Sequence, residues 1–431
     1  MDAHIRPIGG LRGEASVPGD KSISHRALLL GAVARDQTNI TGLASGGDLR
    51  STAECVSALG VTVETAGDVT RIAGCSLRGL KQPDRELDAG NSGTTIRLIA
   101  GLLAGQRFTT TITGDEQLRR RPMDRIIEPL EAMGAEVHGV DDRFAPLIIS
   151  GGHLRATTYR PRIASAQVKS CVLLAGLYAA GRTTVVEPAI SRDHTERMLR
   201  YLGVEVEERR SPGRGNQVTL TRGAQPVARP ISIPGDLSSA AFLITAALIT
   251  QNSALTLPGV GVNETRTGLL DVLGEMGAEV SIRNRRAHNL EPRADLVVRS
   301  SELRGIEIGG ELIPRLIDEI PLLAVAAACA HGKTTVRDAG ELRVKETDRI
   351  RAMVEGLRRM GARVEEREDG MVIEGGRPLH GTTVSSFADH RIAMAFAVAG
   401  LATDGETTVR DAEWVDISFP GFFDLLESLT Q

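Results

Sequence analysis

Cations occupy positions where a helix should not favour them. In three places a stretch of helix-capping residues runs directly into Lys or Arg: Gly19-Asp20-Lys21-Ser22 with Arg26 following, Asn91-Ser92-Gly93 with Arg97 following, and Asp389-His390-Arg391. The caps explain themselves, because short polar side chains accept hydrogen bonds from the first amides of a helix. The cations do not, because positive charge is disfavoured at the positive end of the helix dipole. An anion bound at the helix N-terminus would make them tolerable. Two further strings add charge, Arg119-Arg120-Arg121-Pro122, expected to open one outer helix, and Arg343-Val344-Lys345-Glu346-Thr347-Asp348-Arg349, expected to open another. A run of arginines is ordinarily a solvated face, and in the first string only Arg121, against the proline, is placed to enter a cleft. Together Lys21, Arg26, Arg97, Arg121, Lys345, Arg349 and Arg391 would suit two polyanionic substrates carrying phosphate and carboxylate groups, which guanidinium grips in bidentate fashion. Asp318 and Glu346 lie among them as candidates for proton transfer.

What positions these residues is a repeat. A Leu-Gly or Met-Gly pair followed by a short alternating strand recurs at Leu59-Gly60, Met133-Gly134, Leu202-Gly203, Met276-Gly277 and Met360-Gly361. Each pair ends an amphipathic segment, so its glycine is predicted to be the left-handed residue that closes a helix. Between these pairs lie apolar, small-residue helices ending in a threonine-rich strand: 26–34, 95–104, 168–180, 239–249, 321–330 and 391–402. Helices apolar on every face belong in an interior. The chain therefore reads as six α/β units, each with a buried helix, a strand, an outer helix and a further strand. The sixth reaches Gln431 without its closing strand, and the stretch from Ile5 to Val17 is expected to complete it. That places residues 1–18 with 236–431 in one domain and 19–235 in an inserted second domain. The near-copies Val17-Pro18-Gly19-Asp20 and Ile233-Pro234-Gly235-Asp236 would be the crossings, with a hinge and a cleft between the halves.

Composition removes other classes. The chain has 431 residues with 51 Lys+Arg against 55 Asp+Glu and 3% aromatics, which argues against a nucleic-acid partner. The N-terminus has no apolar signal core and no apolar run reaches the length of a membrane span. Cys55, Cys75, Cys171 and Cys329 are scattered and suit a reducing compartment, so a cytoplasmic location is expected. Gly332-Lys333-Thr334 resembles the end of a phosphate-binding loop, but Ala327 stands at the required first glycine. Neither a dinucleotide fingerprint nor a zinc-ligand pair is present, so no metal and no cofactor is expected.

The strings from Gly19 to Leu30, Gly90 to Arg97, Arg343 to Arg349 and Asp389 to Met394 together resemble the 3-phosphoshikimate 1-carboxyvinyltransferase family, the 5-enolpyruvylshikimate-3-phosphate (EPSP) synthases. The resemblance runs over essentially the whole chain. It implies a two-domain inside-out α/β barrel, each domain holding three βαβαββ units. It also implies transfer of the enolpyruvyl group of phosphoenolpyruvate to the 5-hydroxyl of shikimate 3-phosphate, by a monomer that is a target of glyphosate. Carried over residue by residue, shikimate 3-phosphate would be held by Lys21, Ser22, Arg26, Ser165, Ala166 and Gln167, with Ser191, Asp318 and Lys345. Phosphoenolpyruvate would be held by Lys21, Asn91, Gly93, Arg121 and Gln167, with Arg349 and Arg391. Asp318 would polarise the attacking hydroxyl, Glu346 would shuttle the proton at the methylene carbon, and Lys21 would assist. Ala166, His194, Glu341 and Ile417 depart from the best-known branch, which has Ser, Tyr, Asn and Lys there.

Two alternatives stay open on sequence grounds. The related UDP-N-acetylglucosamine enolpyruvyl transferases have Lys-Asn in the first motif, where this chain has Lys21-Ser22, and usually a catalytic-loop cysteine, which residues 114–123 lack. A non-catalytic anion-binding repeat protein would be favoured by loss of Asp318 or Glu346, and both are present.

Overall fold

The computed structural model describes residues 1–211, 215–221 and 224–430, so the expected end of the sixth repeat at Gln431 lies outside the described residues. The chain divides into two compact units. One comprises Met1–Pro18, Pro234–Ala287 and Pro292–Gln431, the other Gly19–Ile233 with His288–Glu291. Each has its own apolar core.

The repeat resolves into βαβαββ. In the second copy the order is strand Leu87–Asp88, helix Gly93–Ala104, strand Thr109–Thr113, helix Asp124–Ala132, then the hairpin Glu136–Val140 and Phe144–Ser150. The short first strand pairs parallel with Thr109–Thr113, and that strand pairs antiparallel with the second arm of the hairpin. Four further sheets share this four-stranded order, and the sixth sheet has three strands.

Each buried helix follows its own composition. Ile320–Cys329, rich in alanine and leucine, is buried from Ile320 to Ala328. Leu237–Ile249 is buried from Leu237 to Leu248. Such helices have no polar face to offer water, so they pack on one another with the sheets outside them, and alanine permits close approach. Helices Leu237–Ile249, Ile320–Cys329 and His390–Gly400 do this in the first unit; Lys21–Val33, Gly93–Ala104 and Ala166–Gly176 form the corresponding set in the second. The outer helices are amphipathic and end as expected: Gly60, Gly134, Gly203, Gly277 and Gly361 have φ of 87°, 100°, 85°, 96° and 88°.

Three local expectations change. Of the stretch from Ile5 to Val17, Ile5 ends strand Ala3–Ile5, which pairs antiparallel with Thr407–Arg410 of the sixth repeat, and the Ile8 amide donates to the Leu401 carbonyl while Leu11 bridges Thr430. Strand Arg12–Glu14 pairs parallel with Ala254–Gly261 and so supplies the first strand of the fourth repeat. Correspondingly, Ile231–Ser232 pairs parallel with Arg35–Thr41 and supplies that of the first. Without these strands the sheet edges would present unpaired N–H and C=O groups, and in each unit a segment distant in sequence pairs with them. Second, Arg119-Arg120-Arg121-Pro122 does not open the outer helix. Arg119 closes a short helix, Glu116–Arg119, and Arg121 lies in the turn before Asp124–Ala132. Third, the Arg343–Arg349 string spans the end of a 3-10 helix, Gly340–Val344, and the start of Arg349–Arg359.

Candidate active site

In the second unit the helix Lys21–Val33 is capped by Asp20, whose side chain accepts from the Ile23 amide at 2.8 Å. Lys21, the first helical residue, has a partner from within the protein: its Nζ lies 2.9 Å from Oδ2 of Asp48. A carboxylate from the following helix, Gly47–Ala58, therefore already offsets this cation in part. Ser22 is partly buried, and its carbonyl accepts from Nη1 of Arg26 at 2.9 Å. Arg26 is 3% exposed. Its Nε donates to Oγ1 of Thr195 at 2.6 Å and its Nη2 to Oγ of Ser170 at 2.7 Å. Burial lowers this guanidinium to about 10, against the opposing pull of Glu196 and Asp20.

The helix Gly93–Ala104 is capped by Ser92, which accepts from the Thr95 amide at 3.1 Å. Arg97 on that helix donates to Oε1 of Gln167 at 2.9 Å, and Gln167 donates to Oγ1 of Thr94 at 3.0 Å. Arg121 is the buried member of its string, while Arg119 and Arg120 are exposed. Its Nη2 donates to Oδ1 of Asn91 at 2.7 Å, and the Asn91 amide is fixed by Asp115 and Gln117, each at 2.8 Å. Gly93 lies between these two arginines, since a Cβ there would meet Nη1 of Arg97 at 2.7 Å and Nη1 of Arg121 at 3.5 Å.

Ser165 caps the helix Ala166–Gly176, its Oγ accepting from Val168 at 3.4 Å, with Ala166 as the first helical residue. Further along, fully buried Lys169 stands 2.7 Å from Oε2 of Glu187 and 2.8 Å from Oε1 of Glu196. Burial opposes its charge, but these carboxylates outweigh burial and hold it above the usual ammonium range. Desolvation pushes Glu196 above the usual carboxylate range despite Lys169. Ser191 joins the same cluster, its hydroxyl donating to Oε1 of Glu187 and its carbonyl accepting from Lys169 at 3.4 Å. His194 is buried, with Nδ1 2.9 Å from Oε1 of Glu291.

The first unit carries the other cluster. Arg349 is 2% exposed and meets three carboxylates: Asp389 at 2.8 Å, Glu346 at 2.6 Å and Asp318 at 3.5 Å. Burial opposes its charge, and Asp389, Glu346 and Asp318 outweigh burial, holding it above the usual guanidinium range. Lys345 stands 3.8 Å from Oδ1 of Asp318. Arg391 donates from Nη1 to the Asp318 carbonyl at 3.0 Å and lies 3.7 Å from buried Glu319. The Asp389 side chain also caps its own helix, accepting from the Arg391 amide at 2.8 Å. Glu341 lies partly buried in the 3-10 helix before Lys345, and Ile417 partly buried in the 3-10 helix Ala412–Ile417.

The predicted site residues thus gather into one cluster in each unit. Sequence reasoning missed Asp48, Glu187, Glu196, Glu319, Ser170 and Thr195. One signal was legible: Lys169-Ser170 interrupts an otherwise apolar helix that must be buried, so both need partners there.

Residues 5–426 match the family described as EPSP synthase (3-phosphoshikimate 1-carboxyvinyltransferase). The chain belongs to the EPSP synthase family. A 3-phosphoshikimate 1-carboxyvinyltransferase of Geotalea uraniireducens is 53% identical over 426 residues, covering 99% of this chain and 98% of that protein. One from a Synechococcus species is 53% identical over 429 residues, covering 99% and 96%. Among solved structures, an EPSP synthase from Acinetobacter baumannii matches with a TM-score of 0.89 at 42% identity, covering 100% of this chain and 98% of that one. An enolpyruvyl transferase from Streptomyces tendae, at 20% identity and a TM-score of 0.78, shares the fold. The EPSP synthase motifs coincide with the two clusters: the Gly19 to Leu30 and Gly90 to Arg97 strings fall in the second unit, and the Arg343 to Arg349 and Asp389 to Met394 strings in the first. No described helix is long and apolar enough to cross a membrane.

Proposed function

We propose that both clusters act on one pair of substrates, and that the chain transfers the enolpyruvyl group of phosphoenolpyruvate to the 5-hydroxyl of shikimate 3-phosphate, releasing phosphate. The observation that carries this is the EPSP synthase match over residues 5–426, which spans both clusters. Shikimate 3-phosphate is assigned to Lys21, Ser22, Arg26, Ser165, Ala166 and Gln167, with Ser191, Asp318 and Lys345. Phosphoenolpyruvate is assigned to Lys21, Asn91, Gly93, Arg121 and Gln167, with Arg349 and Arg391.

In the addition step the 5-hydroxyl oxygen bonds to C2 of phosphoenolpyruvate and the methylene carbon gains a proton, giving a tetrahedral ketal. Elimination then returns a proton from that methyl group and expels phosphate. Asp318, beside Lys345 and Arg349, polarises the hydroxyl. Glu346, hydrogen-bonded to Arg349 at 2.6 Å, moves the proton at carbon. Lys21 and the arginines stabilise charge on the phosphoryl and carboxylate oxygens. The enzyme acts as a cytoplasmic monomer; the free thiols at Cys55, Cys75, Cys171 and Cys329 suit a reducing compartment, and sedimentation velocity tests the monomer.

Phosphate release on mixing the protein with both substrates, without added nucleotide or metal, tests the activity. Release that needs shikimate 3-phosphate supports it. Release with UDP-N-acetylglucosamine instead, or none with either acceptor, overturns it.

A further inference from the structure

A buried guanidinium usually finds a carboxylate to offset its charge, as Arg349 does with three. Arg26 is almost as deeply buried, yet each group it donates to is neutral: the Thr195 hydroxyl, the Ser170 hydroxyl and the Ser22 carbonyl. Its charge is therefore not cancelled by contact. Nε and one N–H of Nη2 are spent on the two hydroxyls, and one N–H of Nη1 on the carbonyl. One N–H remains on each terminal nitrogen, the pair with which a planar guanidinium grips an oxyanion.

We propose that Ser170 and Thr195, which no motif marks, are positioning residues that aim Arg26 at shikimate 3-phosphate; this rests on the assignment of Arg26 as a ligand of that substrate. The hydrogen bonds have one consistent direction. Ser170 donates its proton to the Ala166 carbonyl at 2.6 Å. The Ser170–Thr195 contact at 2.6 Å is then donated by Thr195. Both hydroxyl oxygens are left as acceptors, and Arg26 fills them from adjacent nitrogens. Both residues are wholly buried and come from different helices, Ala166–Gly176 and His194–Tyr201. The neighbouring residues on those helices, Lys169 and Glu196, form the 2.8 Å ion pair, so two adjacent dipeptides fasten together the helices that hold the guanidinium. A methyl in place of the Thr195 hydroxyl keeps the volume, and Ser170→Ala removes a single oxygen; either leaves a buried N–H unmatched, which frees the guanidinium to turn.

The test compares Thr195→Val, Thr195→Ser and Ser170→Ala with the wild type in steady-state kinetics and thermal melts. Loss of a hydrogen bond to a charged group predicts that Thr195→Val and Ser170→Ala raise the KM for shikimate 3-phosphate roughly ten- to hundredfold. The KM for phosphoenolpyruvate and kcat should stay within about threefold, and Thr195→Ser, which keeps the hydroxyl, should restore binding. In an Arg26→Ala background, Thr195→Val should have no further effect on shikimate 3-phosphate. If Thr195→Val does not fold, Ser170→Ala and Thr195→Ser carry the comparison. Folded variants with a wild-type KM for shikimate 3-phosphate, while Arg26→Ala raises it, overturn the positioning role. An Arg26→Ala enzyme with unchanged KM overturns the ligand assignment instead.

Discussion

A methyl group added at Gly93 would point at two arginine side chains and at no backbone atom within its nearest contacts. Gly93 does not have the left-handed φ that would demand glycine, so it is there for space. Glyphosate has one more chain atom between carboxylate and phosphorus than phosphoenolpyruvate, so crowding beside Arg97 and Arg121 should hurt the inhibitor more. Overpacking costs about 1–3 kcal/mol. The wild type should be glyphosate-sensitive, and Gly93→Ala should raise the inhibition constant at least about tenfold with a smaller rise in the KM for phosphoenolpyruvate. Equal losses for both ligands, with a lowered melting temperature, would sink this. For the proton-transfer pair, Asp318→Asn and Glu346→Gln should each lower turnover about a hundredfold or more. Shikimate 3-phosphate binding, by calorimetry, should suffer less in the Glu346 variant, and near-normal turnover in either would mean the wrong carboxylate. At this scale the sequence singled out seven cations of the two clusters but neither Lys169 nor most of the partners. Asp48 stands 27 positions from Lys21 and Thr195 169 positions from Arg26, and no local pattern joins residues so far apart.

The elements were legible where backbone chemistry dictates them. Glycines at the ends of the outer helices and Asp or Ser at the starts of most buried helices are required by capping, and the structure uses both. Pairings of strands two or three residues long were not legible, because such strands carry almost no alternation; Arg12–Glu14 is exposed throughout. One buried helix carries a titration. His25 lies wholly buried in Lys21–Val33, with Nδ1 2.7 Å from Oγ1 of Thr52. Burial, reinforced by Lys21 and Arg26, holds it well below its usual value. The unfolded chain therefore takes up a proton as pH falls through about 6.5 while the folded one does not. Stability is full above that pH and is lost below it, by up to about 1.4 kcal/mol per pH unit from this group. Melting temperatures measured between about pH 7.5 and 5.5 should fall in the wild type and fall less in His25→Asn. The same slope in both would refute the assignment.

Over the whole molecule, two separate cores predict two separately foldable pieces. Residues 19–233 expressed alone should melt cooperatively and bind shikimate 3-phosphate more weakly than the full chain, without turnover; a fragment lacking a cooperative transition would show that its core is insufficient. The Pro-Gly crossings were expected from the sequence because they are near-copies. The four residues His288–Glu291 that belong with the second unit could not, since a hairpin tip carries no sign of the core it joins. The exchange of first strands has a consequence for chain insertion. Where the chain leaves the first unit and returns to it, the Asp236 amide donates to the Pro18 carbonyl at 2.8 Å, so the two broken ends already touch. In the second unit a Cβ on Gly19 would meet the Ile233 side chain at 3.2 Å, so its own beginning and end are neighbours. Removing residues 19–233 and joining Pro18 to Pro234 would need almost no added chain and would leave the first unit's sheets whole, Arg12–Glu14 still beside Ala254–Gly261. Such self-sufficiency on both sides of the seam is what an insertion at a turn requires, each half keeping its own edge strand.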